Sequence, residues 1–165
     1  MGSGSDSLAA ERVTARVEPG GLDALFRAHY EPMVRLAFLL TRDVEEARDL
    51  VQDSFVRVHN HWTSIEQPVP YLRATVINAC RAHHRARRRE QRRYVRLVSV
   101  SVAPESIVLF DALGALPGRQ QAALVLRYYD DCSDTEIAKL LDCRVATVRS
   151  LIHRGLQRLR KAIES

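Results

Sequence analysis

The sequence predicts an all-α protein that consists of two small helical domains joined by a flexible linker. Apolar residues recur at i, i+3 and i+4 over most of the 165 residues, which is the period of amphipathic helices. Asp43 with Glu46, and Ser133 with Glu136, have the spacing of a helix N-terminal capping box. Residues 94–106 nearly alternate in polarity, but the sequence offers no second strand-like run to pair with them.

Helical periodicity begins at Leu22, and Pro32 interrupts it, so we expect either a kinked helix or two consecutive helices. The preceding residues, 1–21, lack periodicity and are expected to form a disordered N-terminal arm. The apolar stripe of this segment is Leu22, Leu25, Phe26, Met33, Leu36, Ala37 and Leu40.

Two further helices complete the predicted N-terminal domain, residues 22–93. The second helix follows Asp43, and the third is expected from about Tyr71 to Arg89, after a break from Trp62 to Pro70. Pro70 suits the first turn of a helix, where its missing N–H costs nothing. The apolar positions are Val44, Ala47, Leu50, Val51, Phe55 and Val58 in the second helix, and Leu72, Val76 and Ala79 in the third.

The predicted linker covers residues 94–106. The alternative is a short strand, because the valines of this segment nearly alternate with polar residues. Periodicity resumes at Ile107, so we expect a C-terminal domain over residues 107–165. This domain ends in a short helix after Ser133, a turn at Asp142–Arg144 and a last helix from Val145 to about Ile163. That pattern is typical of a helix-turn-helix, whose second helix lies in the major groove of DNA.

Charge is distributed unevenly along the chain, whose net charge is +5. Residues 81–96 contain eight arginines and one acid, and residues 144–165 contain six basic residues and one acid. Residues 1–80 and 97–143 are both net acidic. Basic patches of this kind are typical of proteins that bind polyanions, although a solvated helix face is the plain alternative.

The last helix carries the strongest functional signal. Arg pairs bidentately with guanine, and Thr and Ser make polar or methyl contacts with bases, so its exposed N-terminal residues are suited to reading DNA. Residues further along are better placed to contact phosphate. The alternative is a plain helical hairpin with a solvated basic face. The predicted base-facing residues are Arg144, Thr147, Arg149, Ser150, His153 and Arg154, and the predicted phosphate-facing residues are Arg158, Arg160 and Lys161.

Five motifs together resemble those of one bacterial family. They are Asp49–Phe55 (DLVQDSF), Leu116–Gln120 (LPGRQ), Leu124–Tyr129 (LVLRYY), Ser133–Ala138 (SDTEIA) and Thr147–Ser150 (TVRS). In order and spacing they resemble the extracytoplasmic-function (ECF) group of the sigma-70 family, and the arginine-rich composition is similar to that of actinobacterial members. The resemblance covers about residues 22–163.

The resemblance implies an alternative sigma factor: a protein that binds core RNA polymerase and directs promoter-specific initiation by recognising −10 and −35 elements and aiding DNA melting. The helix at Asp49–Phe55 is implied to bind the clamp helices of the polymerase β′ subunit. The C-terminal domain is implied to contact the β flap. The residues implied to bind core polymerase are Asp49, Leu50, Val51, Gln52, Asp53 and Phe55.

The same resemblance assigns promoter contacts to both basic patches. Residues 63–67 are implied to hold a flipped non-template base. Trp62 is implied to contact DNA, and the alternative for this residue is a structural role in the hydrophobic core. The implied −10 contacts are Trp62, Tyr71, Arg73, Asn78, Arg81, His84, Arg85 and Arg88. The implied −35 contacts are Arg119, Arg144, Thr147, Arg149, Ser150, His153, Arg154 and Arg158.

Three positions depart from the family pattern. Arg144 stands where the family often has the Ser that caps the recognition helix, and Ala146 stands where it often has Gly. A weakened cap is therefore expected, with Arg144 as an added base or phosphate contact. Ala82 stands where an Asp often follows Asn78 on the −10 helix.

Other function classes find little support in the sequence. We predict no catalytic residues, no cofactor and no metal site, since the three cysteines and six histidines match no standard ligand spacing. A Cys132–Cys143 disulfide is the less favoured alternative to free thiols. The longest apolar stretch, five residues, predicts no membrane insertion.

We expect a cytoplasmic protein that is a monomer when free, with core RNA polymerase and promoter DNA as partners and an anti-sigma factor as a candidate partner. Two other readings stay open at this point. One is a stand-alone helix-turn-helix regulator, which has no need of the Asp49–Phe55 motif. The other is an RNA-binding or nucleoid protein that uses the arginines of residues 81–96.

Overall fold

The computed structural model describes residues 20–91 and 104–164, without the side chains of 88–91 and 104–107. Within these ranges the chain is helical and contains no strand, which confirms the predicted all-α class. The helices are α1 (Gly21–Thr41), α2 (Val44–Asn60), a 3₁₀ turn (Trp62–Ser64), α3 (Pro68–Gln91), α4 (Pro104–Gly114), α5 (Gly118–Tyr128), α6 (Asp134–Leu140) and α7 (Val145–Ile163).

Helix α1 runs without interruption through Pro32, so the alternative of two consecutive helices is wrong. Residues on both sides of the proline, including Leu25 and Leu36, are buried in the same core, and this packing outweighs the one hydrogen bond that proline removes. The helix begins after Gly20, whose φ of 108° is readily adopted only by glycine.

Asp43 caps α2 as predicted, but the reciprocal half of the capping box is absent. The carboxylate of Asp43 accepts hydrogen bonds from the N–H groups of Glu45 (3.0 Å) and Glu46 (3.1 Å). The carboxylate of Glu46 instead lies 2.8 Å from Nδ1 of His83 on α3. A partner on a neighbouring helix has thus replaced the local one, and the pair links α2 to α3.

Helices α1, α2 and α3 form the N-terminal bundle, in which every helix packs against the other two. Its core includes Leu36, Val51, Leu72 and Ile77, all fully buried. Helix α3 starts three residues before the predicted Tyr71, which still places Pro70 in the first turn. Trp62 is half-buried and packs against this core, in agreement with its structural alternative.

Helices α4 to α7 form the C-terminal unit, in which α7 packs against α4, α5 and α6. Helix α4 begins at Pro104, so the last three residues of the predicted linker are helical. Proline at the first helical position, followed by Glu105, favours this earlier start. Residues 92–103, which contain most of the linker and its strand alternative, lie outside the described residues, as does nearly all of the predicted arm.

The N-terminal bundle and the C-terminal unit pack against each other. The rings of Phe38 and Phe110 stack with centroids 5.2 Å apart, and the Arg42 guanidinium lies 4.8 Å from the Phe110 centroid while pairing with Asp111. The buried amide of Gln121 donates to the carbonyl of Leu39 at 2.9 Å. In the described ranges, no helix is both long and apolar enough to cross a membrane.

Candidate nucleic-acid and protein-binding surfaces

The predicted capping box fixes the start of α6, and backbone hydrogen bonds fix the turn between α6 and α7. The Ser133 N–H donates to the Glu136 carboxylate at 2.8 Å, and the Glu136 N–H donates to the Ser133 hydroxyl at 3.2 Å. These bonds to Ser133 lower the pKa of Glu136. Asp142 takes up the left-handed conformation (φ 48°) that reverses the chain before α7.

Helix α7 has one buried side and one basic side. Val148 is fully buried, and Gly155 lies so close to α5 that a Cβ there would come within 3.0 Å of Leu124 Cδ1. The opposite side is open to solvent, as predicted. Its exposed residues are Arg144, Thr147, Arg149, Ser150, His153, Arg154 and Arg158.

The start of α7 has the weak cap that the sequence predicted. Arg144 occupies the N-cap position and makes no side-chain capping hydrogen bond. Its side chain is exposed to solvent. Arg119, which was grouped with the same surface, donates instead to the carbonyl of Leu141 at 2.8 Å. In this conformation Arg119 stabilises the end of α6.

Asp134 makes a contact that the sequence did not predict. Besides standing in the first turn of α6, its carboxylate pairs with Arg127 at the end of α5 and accepts from Nε of Arg149 at 3.1 Å. The position of Asp134 in the first turn of α6 is by itself accounted for by the helix dipole. The sequence shows an acidic residue before the turn and a basic residue after it, 15 positions apart. Only the fold of the turn brings these two side chains together.

The second surface is the exposed side of α2. Asp49, Gln52 and Asp53 are exposed, as a protein-binding face requires. Val51 is fully buried and Phe55 is 6% exposed. These two implied polymerase contacts therefore belong to the core of the bundle, where their side chains position the helix.

Leu50 and Val56 on α2 differ in exposure. Leu50 is partly buried and packs against the core. Val56 was not predicted as a functional residue, yet it is 56% exposed. It lies seven positions after Asp49, which places both on one side of the helix. This seven-residue spacing could have predicted from the sequence that Val56 belongs to the same surface as Asp49.

An aromatic cluster borders this side of α2. Phe26 stacks on Tyr30 with ring centroids 4.8 Å apart and meets Phe55 edge-on at 4.9 Å. Phe26 is 43% exposed, and the Gln52 amide lies 3.5 Å from the Tyr30 hydroxyl. The acidic side of α2 thus continues into an exposed aromatic ring on α1.

The residues implied to contact the −10 element fall into two groups on α3. Tyr71, Asn78 and Arg85 are exposed, whereas Arg73, Arg81 and His84 are half-buried. Trp62, which precedes α3, is half-buried against the core. The side chain of Arg88 lies outside the described residues.

The half-buried group faces the C-terminal unit. Nε of Arg73 lies 2.8 Å from the carboxylate of Asp130, and Arg81 donates to the carbonyl of Leu140 at 3.3 Å. The ring of His84 lies against Gly118, where an added Cβ would come within 2.8 Å of ring atom Cδ2. Three of the implied DNA contacts are therefore engaged within the protein itself.

Burial affects the charges at this contact. It raises the pKa of Asp130, although Arg73 acts in the opposite direction. It also lowers the pKa of Arg81, with further contributions from the nearby Arg119 and Arg85. The contact is held by ionic groups that have given up part of their hydration.

A depression of about 580 Å³ lies where α3 begins. The 3₁₀ turn and the following residues form one wall, and Tyr71 forms part of the other. The loop implied to hold a flipped base, residues 63–67, contributes most of the lining. The lining residues are His61, Ser64, Ile65, Glu66, Gln67, Pro70 and Tyr71.

All three cysteines are free thiols. Cys80 is buried in the N-terminal bundle and Cys132 in the C-terminal unit, and burial raises the pKa of each thiol to about 12. Cys143 is half-buried. In residues 20–91 and 104–164 no group of histidine, cysteine or acidic side chains is arranged to hold a metal ion.

Comparisons with known protein families account for both halves of the chain. Residues 25–90 match the family "Sigma-70 region 2", and residues 107–159 match "Sigma-70, region 4". The two matches follow each other in the same order as the N-terminal bundle and the C-terminal unit.

Curated relatives match over nearly the whole length. The RNA polymerase sigma-E factor of Streptomyces avermitilis is 32% identical over 148 residues, covering 84% of this chain and 83% of the relative. The sigma-E factor of Streptomyces coelicolor is 31% identical, covering 83% and 82%. The ECF sigma factor SigW of Bacillus subtilis is 26% identical, covering 90% and 93%.

Among solved structures, the sigma factor RpoE of Bartonella quintana, crystallised with the anti-sigma factor NepR, is similar in fold. The TM-score is 0.73 at 22% identity, over 86% of this chain and 95% of that one.

Proposed function

This chain belongs to the extracytoplasmic-function group of the sigma-70 family, whose members act in transcription initiation, and on that premise we propose how it divides the work between its two helical parts. The N-terminal bundle binds core RNA polymerase and the −10 element, and the C-terminal unit binds the −35 element. The observation that carries the proposal is the exposed basic side of α7 opposite the buried Val148. The chemistry of RNA synthesis belongs to the polymerase.

Core polymerase is proposed to bind the exposed side of α2. Asp49, Gln52 and Asp53 supply the polar and acidic contacts, and Val56 adds an apolar contact that excludes water from them. Phe26 extends the surface on α1. We propose the clamp helices of the β′ subunit as the partner at this surface and the β flap as the partner of the C-terminal unit.

The −10 element is proposed to lie along α3. Tyr71 and Arg85 are exposed and have the planar groups on which unpaired bases stack. The depression between residues 61–67 and Tyr71 is large enough for one extruded base. Extruding a base costs a few kcal/mol, so a pocket that accepts only certain bases adds selectivity.

The −35 element is proposed to receive α7 in its major groove. Thr147, Arg149, Ser150 and His153 face outward from the first turns, where recognition helices contact base edges. Arg154 follows them on the same exposed side, and Arg158 lies further along, where a side chain is suited to phosphate.

The packing of the two halves has a consequence for this function. Arg73, Arg81 and His84 cannot contact DNA while they contact the C-terminal unit. We therefore propose that the arrangement described above is a closed form and that binding to polymerase and promoter separates the two halves. A cytoplasmic location and an anti-sigma partner remain expectations from the family.

Run-off transcription tests the proposed function. Purified full-length protein is added to core polymerase from an actinobacterium on a pooled genomic promoter library. Discrete start sites that require the protein are expected, and their upstream sequences define the −10 and −35 elements. DNA binding without core binding or start sites would contradict the proposal and favour a stand-alone helix-turn-helix regulator.

Arg149→Ala tests the assignment of the −35 contact. The variant is expected to initiate more weakly from promoters that depend on the −35 element, because it removes a bidentate base contact worth about 1–3 kcal/mol. Its affinity for core polymerase, measured by fluorescence anisotropy, is expected to equal that of the wild type. Loss of both activities together would overturn the assignment.

A further inference from the structure

Asp134 lies between two arginines at the base of α7. One carboxylate oxygen accepts from Nη2 of Arg127, and the other accepts from Nε of Arg149 at 3.1 Å. The side chain of Asp134 is 20% exposed, whereas that of Arg149 is 73% exposed. A shielded carboxylate thus binds Nε of Arg149, while most of the Arg149 side chain is exposed to solvent.

The choice of nitrogen matters for base recognition. A guanidinium carries five N–H donors in one plane, and it can meet the O6 and N7 atoms of guanine through its Nε edge or through its two terminal Nη groups. With Nε of Arg149 donating to Asp134, only the terminal edge is left for a base. The bond also fixes the plane of the guanidinium, since the group is rigid.

We infer that Asp134 is a positioning residue for base readout, which holds the guanidinium of Arg149 so that its two Nη groups meet a guanine of the −35 element. This inference rests on the proposed contact between Arg149 and DNA. Asp134 itself touches no base and acts through Arg149.

The surroundings of Asp134 suit this role. The adjacent capping box between Ser133 and Glu136 fixes the first turn of α6, and Arg127 pairs with one oxygen of the Asp134 carboxylate. Because Arg127 occupies one oxygen, the other oxygen is left to Arg149. The position of the recognition arginine on α7 is therefore set by a residue of α6.

The charge of Asp134 gives the inference a signature that a purely structural residue would not produce. A carboxylate close to the DNA backbone repels phosphate, which weakens binding to every sequence. Orientation of Arg149 strengthens binding to one sequence. Removing the charge should therefore lower specificity without lowering affinity for unrelated DNA, whereas damage to the fold would lower both.

The experiment uses holoenzyme reconstituted from the full-length chain and actinobacterial core polymerase. Initiation is measured on a promoter whose −35 base pairs are substituted one at a time, and binding is measured on DNA with a scrambled −35 element. The variants are Asp134→Asn, Arg149→Ala, the double variant, and Arg127→Gln as the control, which removes the other ion pair of Asp134 and the hydrogen bond from Arg127 to the Cys132 carbonyl. Circular dichroism confirms that each variant is folded.

Asp134→Asn is expected to lose roughly five-fold or more of the preference for guanine at one position, the lower end of what a bidentate pair provides. Its affinity for the scrambled DNA is expected to be unchanged or higher. Arg127→Gln should keep the wild-type base preference. The double variant should have the preference of Arg149→Ala alone.

The contrary results separate the inference from the proposed function. If Arg149→Ala loses the preference and Asp134→Asn keeps it, the inference is wrong and the proposed function stands. If Arg149→Ala leaves the preference intact, the proposed contact fails and the inference fails with it. A loss in Arg127→Gln as large as that in Asp134→Asn would show that Asp134 only maintains the fold.

Discussion

Phe55 and Val56 are neighbours on α2 with opposite environments. Phe55 is 6% exposed and contacts the rings of Phe26 and Tyr30, whereas Val56 is 56% exposed. We expect Val56→Ser to weaken binding to core polymerase while leaving the free energy of unfolding nearly unchanged. Phe55→Ala should destabilise the protein by about 3–5 kcal/mol, because it leaves a cavity in the core.

Val44→Ser is the matched control for the Val56 variant. Val44 is also an exposed valine of α2, at 42%, but it lies about a third of a turn away around the helix axis. Fluorescence anisotropy with labelled core polymerase measures affinity, and urea unfolding measures stability. Equal affinities for the Val44 and Val56 variants would exclude Val56 from the interface.

At the scale of single residues, the sequence predicted which segment forms a surface better than it predicted which side chains of that segment are exposed. The motif at Asp49–Phe55 predicted an exposed helix side, and Asp49, Gln52 and Asp53 do face outward. The same motif included Val51, which is fully buried. A family motif records both contact residues and core residues, and only the packing of α1 and α3 against α2 separates the two kinds.

Helix α6 is short, with seven residues, and depends on its N-terminal cap. Ser133→Ala should destabilise the C-terminal unit by about 1 kcal/mol, since it leaves a helix N–H unpaired. Urea unfolding at neutral pH measures the difference. An unchanged midpoint would show that packing of Ile137 and Leu141 alone holds α6.

The other half of the cap predicts a pH dependence. Hydrogen bonds from Ser133 lower the pKa of Glu136 below its ordinary value of 4.5. The stabilisation is therefore complete above pH 4.5 and is lost as the pH falls through the lowered pKa. We expect Glu136→Gln to be less stable than the wild type at pH 7, and the two unfolding midpoints to converge in acid. A constant difference down to pH 3 would contradict this origin.

At the scale of helices, local signals predicted most of the order and many of the ends. Apolar spacing predicted α7 from Val145 to Ile163 as observed, and the Ser133–Glu136 box is present in full. The failures share a cause. In both cases contacts with other helices override a local signal. Glu46 pairs with His83 on α3 and not with the N-terminus of its own helix. Helix α1 continues through Pro32 because residues on both sides of the proline are packed in the core.

The contact between the two halves leads to a prediction for the whole molecule. Asp130→Arg should open the closed form, because it places a positive charge against Arg73 at a shielded contact, and such like-charge pairs cost several kcal/mol. Small-angle scattering of the free protein should show a larger radius of gyration. The exchanged pair, Arg73→Asp with Asp130→Arg, should restore the wild-type value.

Two results would count against the closed form. The first is an unchanged radius in Asp130→Arg, which would mean that this ion pair does not hold the halves together. The second is an exchanged pair that remains as expanded as the single variant. Wild-type and variant proteins are compared without polymerase or DNA, since the proposal is that both partners open the molecule.

The packing of the two halves was beyond the reach of sequence patterns. Arg42 and Asp111 are 69 positions apart, and Gln121 and Leu39 are 82 apart. Periodicity and capping report interactions within one helix, and neither gives the relative placement of distant helices. Arg73 and Arg81 accordingly read as free basic residues on α3, although both are engaged with the C-terminal unit.

Each half of the molecule contains one buried thiol whose rate of chemical modification can report local unfolding of that half. With pKa values of about 12 against 9.0 for an ordinary thiol, Cys80 and Cys132 carry about a thousandfold less thiolate at pH 7. Because both side chains are also buried, alkylation of either one requires local unfolding. In a Cys143→Ser background, the modification rates of Cys80 and Cys132 time the opening of the N-terminal bundle and the C-terminal unit separately, without any attached label.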